Sequence, residues 1–352
     1  MDKFSKKGRK DIIDLMILNK DTNYFWGLFG ACEGGHIELI DLMLSSGAKN
    51  YNDGLYGACL GGHNTVVKMM LSLGANNYNG GLISACEKGH DAVVKLMLFL
   101  GANDYNNGHY AACKGGHFEI AKMMIELGAT RYKNRLYAAC KGGHLEIVKM
   151  MLSLGANDYT LGLNSACKGG HVEVVNMMIK LGAKIDNNTF MYACQGGNIE
   201  IITMIIDKGT YDLNYGLQGA CQGGHDAVIN IMIKLGATNF ILGLKGACKG
   251  GHIEVVKMML ELGASEYNIG INNAFNYAFM RGHIDIVKLL FNHYTGNSDI
   301  LLHGNLELMI LYSRLIEDID LPIKTEHPEY HLLKVYRYKI PDIDRLINKY
   351  LF

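Results

Sequence analysis

A cysteine and a histidine recur together along this chain of 352 residues, in units that read Cys-x-Gly-Gly-His with few departures. A thiol near an imidazole is the pair used for nucleophilic catalysis by cysteine and, with further ligands, for zinc binding. The histidine is present in eight of the nine units, and Asn198 replaces it in the other. The cysteines are Cys32, Cys59, Cys86, Cys113, Cys140, Cys167, Cys194, Cys221 and Cys248.

The spacing of the pair argues against such chemistry. Consecutive cysteines are always 27 residues apart, so the pair belongs to an internal repeat. A catalytic site occurs once and needs an orienting third group, and one cysteine per repeat supplies no four-ligand zinc site. The glycines lack the Lys-Ser/Thr of a phosphate loop. We therefore predict no enzyme activity, no metal and no cofactor. The cysteine is expected to be a small buried residue, and the histidine to bridge backbone groups of neighbouring units.

The composition restricts the remaining classes of function. The chain has 34 basic and 34 acidic side chains, so its formal net charge is zero, and 49% of its residues are apolar. This balance argues against nucleic-acid or membrane binding, and no apolar run approaches the roughly 18 residues of a membrane span. Asp11 and Asp14 interrupt the apolar stretch of the basic N-terminus, which argues against a signal peptide. We expect a monomer with reduced cysteines in the cytoplasm, or in the host cytoplasm if the chain is viral.

Each unit has the pattern of two short helices. In the second unit, Leu55 and Cys59 share one face of a first helix that ends at Gly61-Gly62. A second helix with apolar residues between 66 and 73 follows and ends at Gly74. A helix pair this small cannot bury its apolar faces alone, so neighbouring pairs must stack. The sequence predicts an all-α helix-turn-helix solenoid with two methionine columns in its core. The columns are Met43, Met70, Met97, Met124, Met151 and Met178, and Met69, Met123, Met150, Met177, Met204 and Met258.

The period divides the chain into three parts. Residues 27–300 hold ten repeats, nine of 27 residues and a last one of 31. Residues 1–26 are predicted to be an N-terminal half-repeat cap, since a solenoid needs a polar end. The period fails in residues 301–352, which contain all three prolines and are predicted to be a degenerate helical C-terminal cap or tail.

The repeats resemble ankyrin repeats. Ala-Cys-x-Gly-Gly-His stands where that family has Ala-Ala-x-x-Gly-His, and residues 253–264 match its second helix and turn. The period of 27 residues is shorter than the family's value of about 33. No proline precedes Pro322, so the Thr-Pro-Leu-His signature is missing. Because the missing residues fall where ankyrin repeats project a β-hairpin, the resemblance implies an ankyrin-like solenoid with little or no β-hairpin and tight turns such as residues 76–80.

The resemblance also implies a function, because ankyrin arrays bind other proteins and their first helices line a concave face. Two variable positions of the first helix, four residues apart and opposite the buried face, form an exposed row there. Aromatic side chains flanked by charge favour a protein interface, although scattered exposed tyrosines are also normal on inert surfaces. The candidate partner-binding residues are Phe29, Tyr56, Ile83, Tyr110, Lys114, Tyr137, Lys141 and Lys168. We predict a non-catalytic protein–protein interaction scaffold.

A second interpretation concerns the C-terminal tail. The near-identical repeats, rich in Asn, Ile, Lys and Tyr, resemble ankyrin arrays of large DNA viruses. Some viral ankyrin proteins carry F-box-like tails that recruit ubiquitin ligases. The alternative is therefore an adaptor whose residues 301–352 dock a ubiquitin ligase while the repeats hold the substrate, although these residues contain no clear motif for it.

Overall fold

The computed structural model describes residues 6–7, 24–131, 135–264 and 268–294, which contain twenty α-helices and no β-strand. The first helices of the repeats are α1 Tyr24–Gly34, α3 Tyr51–Gly61, α5 Tyr78–Lys88, α7 Tyr105–Gly115, α9 Leu136–Gly142, α11 Tyr159–Gly169, α13 Asn187–Gly196, α15 Leu213–Gly223, α17 Phe240–Gly250 and α19 Asn268–Met280. The second helices are α2 Ile37–Ser45, α4 Asn64–Ser72, α6 Asp91–Phe99, α8 Phe118–Glu126, α10 Leu145–Ser153, α12 Val172–Lys180, α14 Ile199–Ile206, α16 Asp226–Lys234, α18 Ile253–Glu261 and α20 Ile284–Tyr294. The all-α fold class is confirmed.

Parts of the predicted organisation lie outside the described residues. These are most of the N-terminal half-repeat and the whole of residues 301–352, including the tail of the ubiquitin-ligase alternative. None of the helices with described bounds is long and apolar enough to cross a lipid bilayer.

Glycines end both helices of a repeat. Gly62 follows α3 with a φ of 76°, and Gly74 follows α4 with a φ of 100°. At the end of α4, the Gly74 N–H donates to the carbonyl of Leu71 and the Ala75 N–H donates to the carbonyl of Met70, both at 3.0 Å. This is the Schellman pattern, in which a left-handed residue closes the last turn. The chain therefore reverses direction after each helix without a strand.

The core is a continuous set of columns, one residue per repeat in each column. Leu55, Ala58 and Cys59 have no exposed surface, and the same is true of Met70 in α4. All nine cysteines are buried and free, and the methionine column that contains Met70 is fully buried as predicted. The prediction for the second methionine column was wrong, because its members pack against the core while remaining partly exposed. Met69 and Met70 are adjacent on one helix and point about 100° apart, so only one of them faces the centre.

The first helices approach each other closely at the residue before Ala-Cys. A Cβ atom added to Gly57 would lie 2.6 Å from the carbonyl oxygen of Phe29, and one added to Gly246 would lie 2.2 Å from that of Gln218. At Gly57 and Gly246 a side chain would collide with the preceding helix, whereas Ser84 and Ala111 hold the same position in other repeats. The short distance brings the side chains of successive first helices into contact with each other.

The turns between repeats are shorter than the predicted stretch 76–80, because α5 begins at Tyr78. The Asn77 side chain accepts a hydrogen bond from the Gly80 N–H and so caps this helix. Asn52, at the second position of α3, accepts hydrogen bonds from the N–H groups of Asn76 (2.8 Å) and Asn77 (2.9 Å). Asn79, Asn106 and Asn214 bind the following turns in the same way. The amide side chain thus satisfies turn N–H groups that a hairpin would otherwise pair.

Candidate partner-binding face

The histidine of each unit is bonded to the preceding repeat. The Nε2–H of His63 donates to the main-chain carbonyl oxygen of Glu33 at 3.1 Å. Equivalent bonds join His36 to Lys6, His90 to Leu60, His117 to Glu87, His144 to Lys114, His171 to Lys141, His225 to Gln195 and His252 to Gln222. In the unit without histidine, the Asn198 side chain donates to the carbonyl oxygen of Gly170 at 3.2 Å. The predicted bridging role is confirmed.

The glycine pair provides the space for this histidine. A Cβ atom on Gly62 would lie 2.5 Å from the His90 ring of the next repeat. A Cβ atom on Gly61 would lie 2.2 Å from the carbonyl oxygen of Glu33 and 2.6 Å from the ring of His63. The Cys-x-Gly-Gly-His motif is therefore explained by packing between repeats.

The cysteines are held in the unreactive form. Burial raises the pKa of the Cys59 thiol to about 12, and the other eight thiols have the same value for the same main reason. The thiolate is the form that attacks electrophiles and binds metals. Among the residues with described positions, no three His, Cys, Asp or Glu side chains are grouped as a metal site requires.

One repeat contains a polar pair that the sequence reasoning missed. His109 is 1% exposed and lies 3.4 Å, through Nε2, from the Sγ of Cys113. Burial, followed by the nearby charge of Arg135, lowers the pKa of His109 to about 4, while burial raises that of Cys113 to about 12. The environment keeps both groups neutral, which is the opposite of a thiolate–imidazolium pair. The signal was present in the sequence, because His109 interrupts the column of Leu55, Leu82, Leu136 and Leu163.

The aromatic candidates lie along successive first helices and contact each other. The rings of Phe29 and Tyr56 are stacked with their centroids 6.1 Å apart, and those of Tyr110 and Tyr137 are 6.0 Å apart and tilted by 43°. Tyr56 is 37% exposed, and the other three, like Ile83, are partly exposed. A hydrogen bond with Tyr137, followed by burial, raises the pKa of Tyr110. The row is thus partly ordered by its own contacts.

Arg135 is a further member of this surface that was not predicted. Its guanidinium carbon lies 4.6 Å from the centroid of the Tyr110 ring, which is a cation–π arrangement. Arg135 occupies the repeat position of Gly54, where a Cβ atom would lie 2.6 Å from the Met70 sulfur. α9 begins at Leu136, directly after Arg135.

The charged candidates differ along the row. Lys114 Nζ lies 2.8 Å from Glu87 Oε1 and Lys6 pairs with Glu33, so the charges in the early repeats are compensated. The hydrogen bond with Glu87 raises the pKa of Lys114. Lys141 and Lys168 have no ion-pair partner within the described part of the chain. The lysine charges of the row are therefore compensated by glutamates in the early repeats and uncompensated at Lys141 and Lys168.

Two family models described as ankyrin repeats match the chain, one at residues 82–161, 108–189 and 137–216 and the other at residues 244–291. Among solved structures, the human ASB11 ankyrin repeat domain is 25% identical, with 44% of this chain and 83% of that chain covered and a TM-score of 0.36. No curated protein has significant sequence similarity to the chain.

Proposed function

Because this chain carries ankyrin repeats and belongs to that family of repeat proteins, we propose that it is a non-catalytic scaffold that binds another protein through the concave face of its helix stack. Ankyrin repeats indicate protein–protein interaction in general. The observation that supports the particular face is the row of partly exposed side chains on five consecutive first helices, which is aromatic at Phe29, Tyr56, Tyr110 and Tyr137 and aliphatic at Ile83. Tyrosine, phenylalanine and arginine are enriched at protein interfaces, and tyrosine and arginine also where interfaces gain most of their binding energy.

The order already present in this row favours binding. Tyr110 is fixed between Tyr137 and the Arg135 guanidinium, so little side-chain entropy remains to be lost when a partner arrives. Phe29 and Tyr56 form a second stacked pair two repeats away from the first. A surface with two rigid aromatic pairs fits a partner that spans several repeats.

We also infer that the 27-residue unit is a shortened form of the usual ankyrin repeat of about 33 residues. Asn52 and its equivalents bond the turn N–H groups directly, which supports this inference. Without projecting hairpins, the partner would contact the first helices themselves.

The adaptor alternative remains a prediction about residues 301–352. Deleting them distinguishes a structural cap from an adaptor tail. If the tail is a cap, the remaining chain loses thermal stability. If the tail docks a ubiquitin ligase, the remaining chain stays folded and loses that one partner.

Comparative capture tests the scaffold proposal. Full-length wild-type chain, a Tyr56→Ala/Tyr110→Ala/Tyr137→Ala variant and a control variant are immobilised and exposed to extract of the native cell. The control, Phe99→Ser/Leu235→Ser, changes residues on or next to second helices that are 86% and 55% exposed. We expect the same protein to be captured by wild type and control and to be lost from the aromatic variant. Retention by the aromatic variant, or loss from the control alone, would contradict the proposal.

A further inference from the structure

Three lysines hold one position on the first helices of the later repeats. Lys141, Lys168 and Lys249 each directly follow the cysteine of their repeat, in α9, α11 and α17. Because this position recurs once per repeat, the three side chains belong to the same row as Lys114. Burial, followed by the charges of Lys141, Lys249 and Arg281, lowers the pKa of Lys168 below its ordinary value of 10.5.

The burial of Lys168 is independent support for this arrangement. Lys114 and Lys141 hold the same repeat position and are exposed, whereas Lys168 is half-buried. An ammonium group placed among like charges and partly removed from water costs free energy unless an anion approaches it.

No anion within the chain fills that role among the described residues. None of Lys141, Lys168, Lys249 and Arg281 has an ion-pair partner there, in contrast to Lys114 and Lys6, which pair with glutamates. The residues that hold the same repeat position between α11 and α17 are the neutral Gln195 and Gln222.

We propose that Lys141, Lys168 and Lys249 form a docking row for an acidic peptide segment, an extended stretch of the partner protein with several aspartate or glutamate side chains. The proposal rests on the scaffold function given above and names the chemistry of the partner. Carboxylates would compensate the three cations, and the amides of Gln195 and Gln222, which hold the same position between them, would bond the peptide main chain.

The composition of this half of the row favours a peptide over a nucleic acid. Single-stranded nucleic acids are held by bases stacked on aromatic side chains, but the aromatic positions of the early repeats become Asn164, Met191, Gln218 and Lys245 here. The zero net charge of the chain also provides no general attraction for a polyanion.

Fluorescence anisotropy with the full chain tests the site. The probe is a labelled peptide in which glutamate alternates with serine, and its glutamine counterpart is the negative control. We expect the acidic peptide alone to bind, with an affinity that falls about tenfold or more in a Lys168→Gln/Lys249→Gln variant and at high salt. A Lys149→Gln/Lys257→Gln control removes the same charge from second helices and should bind within about twofold of wild type. Melting curves of both variants verify folding.

Three outcomes would overturn the site. The first is equal binding of the acidic peptide to both lysine variants. The second is binding of oligo-dT as tight as that of the acidic peptide and dependent on the same lysines. The third is peptide binding that appears only after Glu317, Asp318 and Asp320 are changed to asparagine or glutamine, which would assign the site to the chain's own acidic segment.

If any of these three outcomes occurs while the aromatic variant still loses its captured protein, the acidic-peptide inference fails and the scaffold function stands. If the aromatic variant keeps the protein while the peptide binds as described, binding through the aromatic residues is refuted and the acidic-peptide site stands.

Discussion

The Nε2 atom of His144 lies 3.1 Å from the main-chain carbonyl oxygen of Lys114 in the preceding repeat. This bond connects a residue of the repeat motif to a residue of the candidate face, since Lys114 offers its ammonium group to Glu87 and its carbonyl to the next repeat. Changes to the motif should therefore act on the stability of the array, and changes to the row should act on binding.

The first prediction concerns the histidine bond. His144→Ala removes the donor to the Lys114 carbonyl and should lower the free energy of unfolding by about 1–2 kcal/mol. Asn198→His has room for an imidazole, because the nearest atom to a Cβ added at Gly170 is the Asn198 Cβ at 3.8 Å. It should be less destabilising than His144→Ala, because the imidazole can restore a bond to the preceding repeat, although the capping bond from the Ile201 N–H is lost. Denaturant unfolding followed by circular dichroism measures both. Equal destabilisation by the two substitutions would show that the bond is incidental.

The second prediction compares two left-handed glycines. Gly62→Ala meets both a φ of 76° and the His90 ring at 2.5 Å, whereas Gly74→Ala meets a φ of 100° with no atom within 4 Å. Backbone strain costs about 1–2 kcal/mol in each case. The contact with the ring should make Gly62→Ala the more damaging by about 1–3 kcal/mol. Unfolding midpoints of the two variants, measured side by side, decide the point, and similar midpoints would refute it.

The third prediction concerns pH. The pKa of His109 is lowered from its ordinary value of 6.5 to about 4, so the unfolded chain binds a proton in this interval that the folded chain excludes. Stability contributed by neutral His109 is therefore complete above pH 6.5 and is lost as the pH falls towards 4, by about 3 kcal/mol in all. His109→Leu restores the residue of the neighbouring repeats and should remove this part of the pH dependence. The melting temperature measured from pH 7 to pH 4 for both chains tests it, and parallel curves would count against it.

The fourth prediction concerns thiol reactivity. All nine cysteines are buried, and burial raises their pKa values to about 12. A chromogenic disulfide reagent at neutral pH should modify none of them rapidly in the native chain and all nine after denaturation. A single fast-reacting thiol in the folded chain would identify a reactive cysteine that burial does not account for.

The sequence was sufficient for the parts of the fold that repeat. Leu55, Cys59 and Gly62 could be assigned to the buried face and the helix end because the same residue types recur every 27 residues. The bridging role of the histidine could be inferred from its position at the start of the second helix. The structural role of Asn52 was not predicted, because an asparagine near a turn is typical of a loop. Its neighbours in the sequence do not show that its side chain accepts a hydrogen bond from the Asn76 N–H, in the turn at the other end of the same repeat.

The exceptional residues were harder to predict. His109 and Arg135 are single departures from a leucine column and a glycine column, and their consequences depend on which side chains surround them. Lys168 is half-buried, whereas Lys141 at the same repeat position is exposed. The difference depends on how neighbouring repeats are rotated against each other, which the residue pattern does not specify.

Site-specific photo-crosslinking in the native cell tests the central claim most directly. A photoreactive phenylalanine analogue is placed at Tyr56 or Ile83 in the candidate row, or at Phe99, which is 86% exposed at the end of a second helix. We predict that both row positions yield an adduct with the same protein and that position 99 yields none. Adducts from position 99 with none from the row would contradict binding through the first helices.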